Sequence, residues 1–274
     1  RSLQSFYAIV RFYPWPQKYI MPNPKEQKNL FFDFSKLPSE KGILLFPLSI
    51  SKLRHRQNAE NCIKDLYNFY PSKMSKPLIG VNFVYSDFLY FYSNKPAPEL
   101  KQTFMNQVIE HKNATQKIVK KNQIDFQIQH AFSFLVWNQL YVGTNDFNKL
   151  FEQVKKIYES DTTFQKYVQQ DCDTYGRDME ENQVNFFLEE SLLFYLINKG
   201  EVKLPNEYIE NNQKWILLCY PGRPLKSIVY LAQLNPFKLD WAENPYQNAF
   251  YDLEAKQLVE YDRVDLETYS VENK

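Results

Sequence analysis

Three places along the chain bring together residue types that do chemistry. The run Lys41-Gly42-Ile43-Leu44-Leu45-Phe46-Pro47-Leu48-Ser49 is apolar until it reaches a serine. A serine just past the carboxyl end of a buried strand is held rigidly beside a cleft, where backbone N–H groups can stabilise an oxyanion. Ser49 is therefore a candidate nucleophile. A turn serine bonding its own loop has the same signature, and Ser51 competes for either role. The second place is the largely apolar run Val184–Leu196, interrupted by the adjacent Glu189 and Glu190. Neighbours on a helix point ~100° apart, so the two cannot both face solvent easily, and one carboxylate is expected to point inward. Such a group is either satisfied by a nearby Tyr or Lys, or it binds an ammonium or moves a proton. The third is Trp215-Ile216-Leu217-Leu218-Cys219-Tyr220, a strand stopped by Pro221-Gly222. Tyr220 would present its hydroxyl at the same sheet edge as Ser49. A core or rim tyrosine is the default for any one of 20 tyrosines.

A fourth feature is electrostatic. Residues 99–121 read as one helix that becomes basic, with Lys101, Lys112, Lys117, Lys120 and Lys121. Lys117 and Lys121 lie one turn apart with Lys120 beside them. They can grip a phosphate backbone without reading its sequence, or simply be a solvated helix end favoured by the dipole. The net charge is only +1, which excludes a wholly basic nucleic-acid binder and confines any RNA contact to a local patch.

The elements that must position these groups are partly legible. Helical spacing from Asn58 to Tyr70, stopped by Pro71, and an apolar run at 77–85 give strand, helix, strand, the βαβ pattern of a parallel sheet that binds ligands at its carboxyl edge. Further helices are expected at 145–158, 163–170, 183–198 (ended by Gly200) and 226–234. The proline-rich segment 1–40 reads as an irregular arm, residues 41–274 as one domain, and the tail after about 236 as irregular. The composition, 44% hydrophobic with 22 Phe, is that of a folded chain. Phosphate-loop, nucleophile-elbow and HExxH motifs are absent. His55, His111 and His130 are isolated, and Cys62, Cys172 and Cys219 form no CxxC pair. No metal site is expected, and a reducing, cytoplasmic setting without a membrane span is.

The order strand-serine, basic helix, glutamate-bearing helix, then strand ending Leu217-Leu218-Cys219-Tyr220-Pro221 resembles the tRNA-dependent cyclodipeptide synthases over residues 41–235, and among them the x-Tyr-Pro subfamily. The resemblance implies an α/β fold with a Rossmann-like central parallel sheet flanked by helices, similar to the catalytic domain of tyrosyl- and tryptophanyl-tRNA synthetases. It also implies aminoacyl-tRNAs as substrates and no cofactor; no DNA partner and a monomer are the accompanying expectations, although the sequence itself does not fix the oligomeric state. Ser49 matches the acylated serine, Glu190 the carboxylate that handles the substrate amine, Tyr220 the tyrosine near the reacting centre, and Lys112–Lys121 the tRNA-binding patch. Pro221, Ser51 and Glu189 are positional candidates. The chain departs from the family pattern in three places. Phe186 stands four residues before Glu190 where a tyrosine is usual. Pro47-Leu48-Ser49-Ile50-Ser51-Lys52 replaces Gly-x-Ser-Pro-x-Asn. The gap from Glu190 to Tyr220 is long, with the extra residues around Lys199–Asn212. Two rival readings are a non-catalytic tRNA-binding or scaffold protein on the same fold, and a serine hydrolase, which needs a histidine near Ser49.

Overall fold

Every side chain of Gly42–Leu48 is buried, as expected of a parallel strand covered on both faces. The computed structural model describes residues 38, 40–67, 79–85, 98–122, 132–136, 146–202, 204, 213–221 and 223–271. The expected N-terminal arm up to 37 and His130 lie outside them. In it Gly42–Leu48 is β1, flanked by β2 (Ile79–Tyr85) and β4 (Trp215–Tyr220), parallel to both. Gly42 opens β1 because the Trp215 indole lies against it: a Cβ there would come within 1.8 Å of the ring. Alternation sorts the strand side chains by face. Ile43, Leu45, Ile216 and Leu218 join one core, and Leu44, Phe46, Leu217 and Cys219 the other.

The helices are α1 (Ala59–Tyr67), α2 (Pro98–Lys121), α3 (Phe147–Ser160), α4 (Thr162–Thr174), α5 (Glu181–Asn198) and α6 (Lys226–Leu234), and the remaining strands β3 (Phe132–Val136), β5 (Ala249–Asp252) and β6 (Gln257–Glu260). The strand order is β3-β2-β1-β4-β5-β6. All neighbours are parallel except the edge pair β5–β6. This 3-2-1-4-5 order is that of a doubly wound Rossmann-like sheet, and it reverses direction between β1 and β4. The fold class expected from the sequence is thus observed, and the place where such sheets bind ligands lies just beyond Leu48 and Tyr220.

Helix ends follow local rules. Asp161 caps α4, its Oδ1 accepting the N–H groups of Thr163 and Phe164 at 2.9 and 3.1 Å. Gly200, at φ 76°, ends α5 as its sequence position predicted. The tail after 236 is not irregular. It supplies β5, which buries all four of its side chains against β4, and β6, a mostly exposed edge.

Candidate active site

Ser49 leaves β1 with an extended backbone (φ −87°, ψ 125°). Its carbonyl accepts the Lys52 N–H at 2.9 Å, closing a 3-10 turn over Ile50–Lys52 that also contains Ser51. The Ser49 N–H donates to Gln57 Oε1 at 2.6 Å. The serine's main chain is therefore pinned, and its own N–H is withdrawn from any oxyanion role. Tyr220, the last residue of β4, has Phe194 and Phe250 around its ring at 5.1 and 6.3 Å. Its hydroxyl is buried with no hydrogen-bond partner among the described residues. Burial, then the charge of Glu190, push this phenol well up, so it keeps its proton.

The expectation that one of the two adjacent glutamates points inward needs correction, because both do. Beyond its exposed first turn, α5 is lined by apolar residues on every side and packs against α3, α4, α6 and β4, so Glu190 meets open space only at the pocket. Glu189 is 1% exposed, and its Oε2 has no partner among the described residues. Burial, followed by the charge of Glu190, raises it to about 8. Glu190 is half-buried and raised to about 7, chiefly by burial; Arg177 and Lys52 pull it down while Asp171 pushes it up.

Ser49, Glu190 and Tyr220, from three separate elements, line one pocket of about 170 Å³, together with Phe186 and Pro221. It opens at the carboxyl edge of β1 and β4, where the strand order reverses. Its remaining walls include residues the sequence reading did not single out. Arg177 lies with its guanidinium 4.2 Å from the centre of the Phe186 ring and donates to Gln183 Oε1 at 3.0 Å. Lys52 stands over the Tyr175 ring at 5.5 Å, and Arg223 completes a set of three cations on the lining. Arg177 and Arg223 come from segments outside the helices and strands, where no periodicity marks them, and Lys52 ends the 3-10 turn after Ser49. Besides Ser49 itself, the pocket's side-chain donors include Arg177, Lys52, Arg223, Gln57 and the phenols of Tyr175 and Tyr220.

The candidate lysines form a separate feature. Phe104, Val108, His111, Thr115 and Val119 make the buried stripe of α2, while Lys112, Lys117, Lys120 and Lys121 are exposed on its outer side. Lys101 lies on the same helix. None of these lysines lines the pocket, although α2 packs against α1 and the turn after Ser49. His111 is buried, bonded through Nδ1 to the Tyr85 hydroxyl at 2.8 Å, and lowered to about 4 by burial. It is a structural neutral imidazole. All three cysteines are free and buried. Among the described residues, no group of three His, Cys, Asp or Glu side chains is placed to hold a metal, and no helix is long and apolar enough to cross a membrane.

No protein-family model matches the chain, and no curated protein matches it in sequence. Solved structures do. A cyclodipeptide synthase (CDPS) from Fluoribacter dumoffii is similar at 15% identity and TM-score 0.50, covering 76% of this chain and 93% of that one. A CDPS from Staphylococcus haemolyticus aligns at 12% identity and TM-score 0.46, over 81% and 92% of the two chains. A Mycobacterium tuberculosis protein, whose structure is described as relating cyclodipeptide synthetases to type I tRNA synthetases, aligns at 16% and 0.44, over 69% and 78%. The first of these likenesses establishes the fold. It says nothing by itself about the chemistry.

Proposed function

We propose that the chain is a tRNA-dependent cyclodipeptide synthase of the x-Tyr-Pro kind, taking two aminoacyl groups from charged tRNAs and closing them into a cyclic dipeptide. The observation that carries this reading is the convergence of Ser49, Glu190 and Tyr220 on one pocket at the switch point of the sheet. An aminoacyl ester is already activated, so the reaction needs positioned groups rather than a cofactor.

In this mechanism the Ser49 oxygen attacks the ester carbonyl of a first aminoacyl-tRNA and the 3′-terminal ribose oxygen leaves, giving an acyl-enzyme. The pocket's side-chain donors face the developing oxyanion. Glu190, ionised, anchors the α-ammonium and accepts its proton, freeing the amine to attack a second aminoacyl-tRNA. A value of about 7 suits a carboxylate that must exchange a proton near neutrality. Glu189, protonated beside it, adds no second negative charge. The terminal amine of the resulting dipeptidyl-enzyme then attacks the serine ester, and the Tyr220 phenol relays the proton as the ring is released. The exposed lysines of α2 supply salt-sensitive, sequence-independent attraction for the tRNA backbone.

The test is mass spectrometry of reactions containing the protein and the full set of charged tRNAs, beside Ser49→Ala. Cyclic dipeptides that vanish in the variant while tRNA binding persists support the reading. Products that persist transfer the nucleophile role to Ser51. Absence of product with every charged tRNA leaves a tRNA-binding protein on a synthetase-like fold.

A further inference from the structure

A serine nucleophile needs a base, and no histidine lines the pocket. His111 is buried against Tyr85, and His55 is exposed on the loop after the turn. Glu190, if it holds the substrate ammonium, is already engaged. The pocket contains one other group able to take a proton from Ser49. In Ser49-Ile50-Ser51-Lys52 the spacing is Ser-x-x-Lys, and the segment is wound as a single 3-10 turn closed by the Lys52 N–H on the Ser49 carbonyl. Three residues per turn bring positions i and i+3 onto the same side. Both residues line the same pocket.

The surroundings of Lys52 suit a base. It is half-buried, and among the described residues its ammonium makes neither an ion pair nor a hydrogen bond. It rests on the Tyr175 ring. The groups that face it are Arg56 from its own loop, Glu190 from α5, and Tyr175 beyond the end of α4, with Arg177 across the pocket. Burial and Arg56 disfavour its charged form and Glu190 favours it; the first two win, holding Lys52 below the ordinary lysine value. A desolvated lysine beside a serine is one of the recurring ways to activate a hydroxyl without histidine.

We propose that Lys52 is the general base and acid of Ser49 acylation, forming a Ser-x-x-Lys pair in the pocket. This rests on the reading of Ser49 as the acylated residue. Neutral Lys52 Nζ takes the hydroxyl proton as Ser49 Oγ bonds to the ester carbonyl carbon. When the tetrahedral intermediate collapses, the C–O bond to the ribose breaks, and the Lys52 ammonium returns that proton to the departing ribose oxygen. The amine ends neutral, and one ester has been exchanged for another with no net proton change. The asparagine that the resembling pattern carries in this place cannot accept a proton near neutrality, so the change to lysine alters the chemistry available to the serine.

The experiment follows Ser49 acylation by intact-protein mass, using a fluorophosphonate probe and, separately, charged tRNA. Wild type, Lys52→Arg, Lys52→Gln and Glu190→Gln are compared between about pH 6 and 10, a span that covers the ascending limb of a lowered lysine base. Both Lys52 variants are expected to acylate at least ~100-fold more slowly with either reagent, and to lose the limb that wild type shows below the free-lysine range. Melting temperature and tRNA affinity should hold. In Glu190→Gln the limb should move towards lower pH, because the Glu190 charge that favours the Lys52 ammonium is gone. Acylation of Lys52→Gln within about threefold of wild type, or a limb that persists in Lys52→Arg, overturns the assignment. Lys52-dependent labelling without cyclic dipeptide from any charged tRNA keeps the pair and removes the synthase reading. Undiminished cyclic dipeptide synthesis by Lys52→Gln does the reverse.

Discussion

Asp171, fully buried, and Glu190, half-buried at the pocket, lie on adjacent helices, and burial raises both, to about 6 and about 7. Asp171 is fully occupied. Its Oδ1 accepts the Lys226 N–H at 3.0 Å and its Oδ2 the Ser227 N–H at 2.8 Å. It thereby caps α6, whose own N-cap residue, Leu225, offers no side-chain acceptor. Glu190 accepts no hydrogen bond among the described residues and faces a cavity. A buried carboxylate whose oxygens are both satisfied is architecture. One left unsatisfied against open space costs stability and is retained for a ligand.

Exchanging the two carboxylates' fates gives the largest expected contrast. Glu190→Gln should lower cyclic dipeptide formation by ~10²–10⁴-fold, the usual worth of a positioned acid or base, while the melting temperature holds or rises. Asp171→Ala should do the opposite, costing about 2–3 kcal/mol in urea unfolding because two backbone N–H groups lose a charged acceptor. Product formation per folded molecule should survive. The Asp171 charge helps to raise Glu190, so its removal should also shift the ascending limb of the pH–rate profile, centred at about 7 in wild type, towards lower pH. A limb that stays in place in Asp171→Ala would separate Glu190 from the rate. Tyr220→Phe sharpens the comparison on a smaller scale. The hydroxyl is buried without a partner, so its loss should leave stability unchanged or raise it by up to ~1 kcal/mol, while turnover falls by about 10–100-fold if the phenol relays a proton. A stability loss instead would make it an ordinary core tyrosine.

How far this contrast could be read in advance depended on the kind of signal. Ser49 and Tyr220 were legible because each ends an apolar run long enough to be a central parallel strand, and α5 because Gly200 stops it. β3 was missed: Phe132–Val136 sits within an aromatic stretch without turn residues on which periodicity has no purchase. β6 was missed because an edge strand held by backbone pairing needs no apolar pattern. Of its four residues three are exposed and one is half-buried, and Leu258 itself is 38% exposed. Glu189 and Glu190 were seen as a pair, but whether both would be enclosed depended on four elements packing round one helix, which no local pattern encodes. Arg177 escaped for the same reason, since its role comes from the cavity it faces; Lys52 stood in view three residues after Ser49, but that the two share a cavity appears only in the fold.

Glu189 provides the finest test, because it is fully buried with an unsatisfied Oε2 yet does not line the pocket that Glu190 faces. Its value rises from 4.5 to about 8 in the folded chain. Between those limits the native state binds more protons than the unfolded one, so its contribution makes stability fall as pH rises through the interval, at up to about 1.4 kcal/mol per unit. Below the unfolded value both states are protonated and nothing is lost. Glu189→Gln removes the titration while preserving shape. It should gain on the order of 1–3 kcal/mol at pH 8, and essentially nothing near pH 4, in urea unfolding. Cyclic dipeptide formation should be unchanged, since no pocket atom is altered. An equal gain at both pH values would mean that the carboxyl is not the titrating group. A loss of product at full stability would place Glu189 beside Glu190 in the chemistry, and the distinction between an enclosed carboxylate and one that faces a cavity would no longer separate structure from function.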